Sequence, residues 1–189
     1  MQFHKTTKFY PSICAAAVAL LFASVTQAAD PVPVAPASAN TANAQVPAAP
    51  PARGPDLALA LEAAQAAVAT CTASGYKAAV SVVDSAGVVK AVLAADGASS
   101  RGVQSSEAKA FTAITYKTSS ATVAKQAEAD PALLAKLNAD PKHRARAGAL
   151  PLFVGNELVG AIGVGGAPGG DKDEACALAG VNKIKDRLI

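Results

Sequence analysis

Tryptophan is absent from this 189-residue chain, and only three tyrosines and five phenylalanines are present. Stacking platforms for bases are built from aromatic rings. Beyond residue 55 only Tyr76, Phe111, Tyr116 and Phe153 remain to build one. Histidine is equally scarce, with His4 and His143 alone. A Ser-His-Asp or Cys-His set therefore has to use His143 or not exist. An excess of one charge sign is also missing. Removing Lys5, Lys8 and Arg53 from the 17 basic residues leaves 14 from Asp56 onward, and removing Asp30 from the 14 acidic ones leaves 13. The formal charge of +3 thus belongs mainly to the leader. The only local cluster of basic residues is the short run 142–146. Nucleic-acid binding rests on a face that neutralises several phosphates, and no such face is expected.

The N-terminus reads as an export signal. His4, Lys5 and Lys8 precede an apolar run over 13–25, and Thr26-Gln27-Ala28 offers a small-residue cleavage site. The run is too short for a comfortable span, which takes ~20 residues, so no membrane span is expected after cleavage. Residues 1–28 are assigned as signal peptide, which places the mature chain in the periplasm or outside the cell. Seven prolines between Pro31 and Pro55, spaced mainly by Ala, Val, Ser and Asn, make 29–55 a semi-rigid, unfolded linker. The domain is then 56–189. Its two cysteines, Cys71 and Cys176, stand in a compartment where disulfides persist. They either pair or are small buried hydrophobes.

Asp56 caps an expected helix with Leu57, Leu61, Ala64, Val68 and Cys71 at helical spacing, stopped at Ser74-Gly75. Strand runs at 78–83 and 88–94 flank Asp84-Ser85-Ala86-Gly87, a hairpin turn in composition. Helices follow at 103–118 and 119–129. Asp130-Pro131 and Asp140-Pro141 place a cap before a proline at the first helical position, which predicts a helix over 131–138 and a further turn over 141–146. A second hairpin, 150–154 and 158–164, precedes a glycine-rich loop and a last helix over 171–187. Helix, hairpin, helices, hairpin, helix describes an antiparallel sheet clothed by helices.

The loop Gly163-Val164-Gly165-Gly166-Ala167-Pro168-Gly169-Gly170 fits neither nucleotide fingerprint: Pro168 stands where a third glycine is needed, and Asp171 follows where a P-loop has lysine. It is a plain turn or a carboxylate contact at a helix N-terminus. Asp171-Lys172-Asp173-Glu174 lacks calcium-loop spacing and reads as N-capping. Asp84, Asp96 and Glu107 form no pair at acid–base distance, so no catalytic set and no metal site is assigned.

Several runs occur together in order: Val80-Ser81-Val82-Val83-Asp84-Ser85-Ala86-Gly87, Asp96-Gly97-Ala98, Lys109-Ala110-Phe111-Thr112-Ala113, Leu150-Pro151-Leu152, Val159-Gly160-Ala161-Ile162-Gly163-Val164 and Asp173-Glu174-Ala175-Cys176-Ala177-Leu178-Ala179-Gly180. This series resembles the GlcG/HbpS family of haem-binding or haem-degrading-type domains, also found as the C-terminal part of PduO proteins. The resemblance covers essentially all of 56–189. It implies an α/β (α+β) fold, a profilin-like α/β/α sandwich around an antiparallel sheet of four to five strands. It also implies a homo-oligomer and, as in several members, bound haem. Departures are Gly148-Ala149 where members often carry Gly-Gly, and Gly165 in place of a usual serine. Haem contacts are expected from Gly165, Gly166, Gly169, Gly170, Lys109, Tyr116 and His143, with Tyr76 as a further candidate; His143 is the single imidazole for iron. In such a sandwich the first and last helices lie side by side, so an antiparallel pair would bring Cys71 to Cys176 as a disulfide. The expected function is an exported small-molecule binder, with haem or a related tetrapyrrole as ligand. A haem-degrading enzyme, or an accessory module acting through an envelope sensor partner, is the alternative.

Overall fold

The computed structural model describes residues 52–189; the expected leader and all of the linker before residue 52 lie outside them. The first helix, α1 (Leu57–Ala73), starts where Asp56 accepts a hydrogen bond from the Leu59 amide at 2.8 Å. The end of the linker sits on the domain: the Arg53 amide bonds Ser85 Oγ at 2.8 Å, its guanidinium pairs with Glu157, and Pro55 is fully buried.

Strands β1 (Ala79–Asp84) and β2 (Val89–Ala94) form the expected hairpin. Asp84 ties its turn by accepting from the Ala86 and Val88 amides at 3.0 and 2.9 Å. Helix α2 (Ser100–Tyr116) begins three residues earlier than the hydrophobic pattern predicts, because Ser99 caps it through the Gly102 amide. Lys117, at φ 54, ends it. Helix α3 (Ser120–Ala129) is capped by Ser119, and α4 (Pro131–Ala139) by Asp130 with proline in its first turn. No helical turn forms over 141–146. Asp140 turns the chain by accepting from the Lys142 amide, and the Arg144 amide is taken by Thr112 Oγ1 (2.8 Å) and the Ala108 carbonyl (3.2 Å) of α2. Those side bonds replace the helical ladder.

Strands β3 (Ala149–Val154) and β4 (Glu157–Gly165) make the second hairpin. Helix α5 (Gly170–Ile184) follows, with its end tightened into a 3-10 turn at Lys185–Arg187. The sheet has four strands in the order β2-β1-β4-β3, every pair antiparallel. Pro151 lies on β3, an edge strand, where its missing N–H costs no ladder bond.

Helices cover both faces. Val80, Val82, Ile162 and Val164 point to α1 and α5 in the main core, while Val83 and Ala161 pack with Ala110 and Ala113 of α2. Covering on both sides is why all six β1 residues are buried. The layers are the expected α/β/α sandwich, with the strand number settled at four. Cys71 on α1 and Cys176 on α5 are joined as a disulfide, Cα atoms 5.5 Å apart, as the side-by-side helices require. Among the described residues no helix is long and apolar enough to cross a membrane.

Candidate functional site

Two cavities open along α2, and Arg144 lines both. The smaller, about 180 Å³, lies between the start of α2, the glycine turn 166–170 and the 144–146 segment. The larger, about 460 Å³, runs along Gln104, Ala108 and Phe111 of α2 to Pro141 and Lys142.

At the floor of the smaller cavity is a buried ion pair. Lys109 is 1% exposed; its Nζ donates to Asp173 Oδ2 at 2.6 Å and to the Val164 carbonyl at 2.9 Å. Asp173 Oδ1 in turn accepts from the Ala167 amide at 2.9 Å and so pins the glycine turn. Burial pushes the Lys109 ammonium below its ordinary pKa, the bond to Asp173 opposes this, and Arg146 and Arg144 add repulsion. Asp173 is thus not a helix cap. The N-cap of α5 is Gly169, which has no side chain to offer, and Asp173 faces inward on the same stripe as Cys176, Ala177 and Gly180.

Above this pair stand Arg101, Arg144 and Arg146. The backbones of the last two are fixed: Thr112 holds the Arg144 amide, and Ser120 Oγ donates to the Arg146 carbonyl at 2.7 Å. Among the described residues, none of the three guanidiniums is in a salt bridge. In the groove, Phe111 is positioned from the first hairpin: its ring lies against Gly87, where a Cβ would come within 2.9 Å of it. Glu107 shares that lining with Lys142 and Arg144.

The residues expected to bind ligand divide. Gly166, Gly169, Gly170 and Lys109 come together around the smaller cavity. Gly165 does not line it: its place is against α2, where a Cβ would lie 2.6 Å from the Gly102 carbonyl and 2.8 Å from Ser105 Cβ, so glycine there sets the closeness of helix to sheet. Tyr116 and His143 meet each other instead, ring centroids 5.9 Å apart, beside the α3–α4 cluster. Tyr116 Oη and His143 Nδ1 are buried without a partner in the described structure, and His143 Nε2 is 3.7 Å from Asp140. His143 lines neither α2 cavity. Tyr76 is elsewhere, under Lys172 at 5.9 Å and on a separate surface hollow.

Sequence reasoning missed Arg101, Arg144 and Arg146 as one cluster and Lys109–Asp173 as a pair. Lys109 did carry a signal: it lies among Ala108, Ala110, Thr112 and Ala113, all buried, and a charge at a core position needs a partner.

The family model for "Haem degrading protein HbpS-like" matches residues 56–182. A crystal structure of HbpS is 34% identical, with 71% of this chain and 92% of that one covered at a TM-score of 0.65. A double mutant of HbpS from Streptomyces reticuli is 31% identical, with 82% and 97% covered and a TM-score of 0.64. A PduOC:heme complex shares the fold at 20% identity, with 69% and 95% covered and a TM-score of 0.63. No curated protein sequence matches.

Proposed function

This chain belongs to the HbpS-like family, and from that premise we propose that it binds haem, with the porphyrin lying along the α2 groove. The observation that carries this reading is the chemistry of that groove: Phe111, Ala108 and Pro141 supply an apolar wall, with Lys142 and Arg144 beside it. Haem has the same two halves, a flat apolar macrocycle and a pair of carboxylates. The volume of about 460 Å³ falls in the range of small-molecule sites, ~300–1,000 Å³. The residues present therefore fit the group. The ring of Phe111 would supply an aromatic contact to the macrocycle, Arg144 and Lys142 would hold the propionates, and Glu107 on the same wall would oppose an additional acid. Bound haem would bring a redox-active iron. His143, away from the groove, is not assigned as its ligand.

The same reading takes the protein to be exported and to act in the periplasm or outside the cell. The leader composition supports this, and so does the Cys71–Cys176 bridge, because disulfides persist in oxidising compartments. It is a homo-oligomer in this reading. The edge strand β2 leaves Val89 and Val92 exposed, 40% and 36%, and the preceding Val88 57%, which suits pairing with another copy. A sensor partner in the envelope belongs to the same proposal.

Titration of the haem-free protein with hemin tests the binding claim. A saturable Soret shift is expected, weakened by Phe111→Ala, and made both weaker and less salt-sensitive by Arg144→Ala. A flat, unsaturable response in the wild type would overturn it. Light scattering on a sizing column reads the oligomer.

A further inference from the structure

The smaller cavity has chemistry that the haem groove does not need. Three arginines from two segments, Arg101 at the start of α2 and Arg144 and Arg146 on the loop before β3, converge on it. Guanidiniums repel one another, and among the described residues no carboxylate pairs with any of them. The acid at the cavity floor, Asp173, is already neutralised by Lys109 at 2.6 Å. The cavity therefore holds a surplus of positive charge that protein groups leave unbalanced. The field of α5 has the same sign there: its N-cap, Gly169, which makes no side-chain capping bond, and its first residue, Gly170, both line the cavity.

We propose that this cavity is a binding site, next to the haem groove and sharing only Arg144 with it, for a small free dianion whose oxygens are those of a carboxylate or a phosphate. Size sets the upper limit. About 180 Å³ is below the ~300 Å³ at which drug-sized ligand sites begin, so a porphyrin is excluded and a compact oxyanion is admitted. Geometry sets the class. Guanidinium forks match the paired oxygens of carboxylate and phosphate alike. The site is also pre-formed, because Thr112 and Ser120 hold the loop backbone and Asp173 holds the turn at Ala167. Asp171, whose carboxylate folds back over Gly169, is the acid placed to compete with the ligand.

The inference does not rest on the haem reading, and one set of measurements separates them. Thermal shift and calorimetry on the haem-free protein, in low-salt buffer, use inorganic phosphate and malonate as probes, with sodium chloride at matched ionic strength as control. A saturable rise in Tm is expected with one or both anions, and which of them works distinguishes phosphate from carboxylate ligands. Arg146→Ala weakens that binding by roughly tenfold or more, since charge-assisted bonds contribute about 1.5–3 kcal/mol each. Asp171→Asn tightens it, and Lys125→Ala, on exposed α3 surface, leaves it unchanged. Hemin affinity of Arg146→Ala stays at the wild-type value. No response beyond the chloride control, or an Arg146→Ala protein that binds as well as wild type, overturns the proposal. Loss of hemin and anion together in Arg146→Ala overturns the separation of the two sites. Anion binding without hemin binding removes the haem reading alone.

Discussion

Lys109 and Asp173, 64 residues apart in sequence, meet in the core with Nζ and Oδ2 at 2.6 Å. The pair joins three elements: Lys109 rises from α2, Asp173 from α5, and the Val164 carbonyl of β4 takes a second hydrogen bond from the ammonium. Because Asp173 also holds the Ala167 amide, the glycine turn takes its shape from a lysine on another helix.

Breaking the pair from one side leaves a charge buried alone. Lys109→Met is expected to cost about 3–5 kcal/mol, read by urea denaturation. A double variant, Lys109→Met with Asp173→Leu, recovers part of the loss because no bare charge remains. A single variant as stable as wild type would mean the pair is not buried in solution.

The same pair has a pH signature. Burial, the largest cause, holds Lys109 below its ordinary 10.5. In the window just below 10.5 the unfolded chain then holds a proton that the folded chain has released. Unfolding takes up a proton, so this group's contribution to stability rises with pH through that window. The wild type minus Lys109→Met stability difference, measured at successive alkaline pH values, is expected to rise. A falling difference would show that Asp173 outweighs burial.

The disulfide closes a loop with a sequence separation of 105. Replacing both Cys71 and Cys176 by Ser lowers stability by about 2–5 kcal/mol, and reductant lowers the Tm of the wild type but not of the variant. Equal Tm values with and without reductant in the wild type would contradict a bridge that constrains the fold.

Gly148 leaves space for the Lys109 head. Its φ is +129, and a Cβ there would lie 2.5 Å from Lys109 Nζ and 2.9 Å from the Val164 carbonyl. Gly148→Ala is therefore expected to destabilise by more than about 1 kcal/mol, since it adds backbone strain to a clash at the buried pair. Gly155→Ala has a positive φ of 57 but open space around it, and serves as the control for backbone strain alone. The two variants should differ in urea midpoint, Gly148→Ala being the lower.

Nearest-neighbour chemistry made most of the elements legible in the sequence. Asp56 and Asp130 satisfy the amides of the helices that follow them, and Asp84 closes its own turn; these bonds span two to four residues, so the residues that make them stand side by side in the chain. The two apolar hairpins and the buried stripes of α1 and α5 are legible for the same reason, since a strand or helix repeats over a few positions. The pairing of Cys71 with Cys176 needed the family resemblance, because nothing local says which helices lie side by side.

The site belongs to another class of fact. Arg101 falls just before the expected helix over 103–118 and Arg146 in the basic run 142–146; only the packing of α2 under the loop, fixed by Thr112 and Ser120, brings them over one cavity. Asp173 reads as a cap until α5 turns it inward to Lys109. Charge acts through space, and distances through space between remote residues are set by how layers stack. The sequence by itself determined the helices, the hairpins and their order; the stacking of α2 and α5 on the sheet decided where the charges meet.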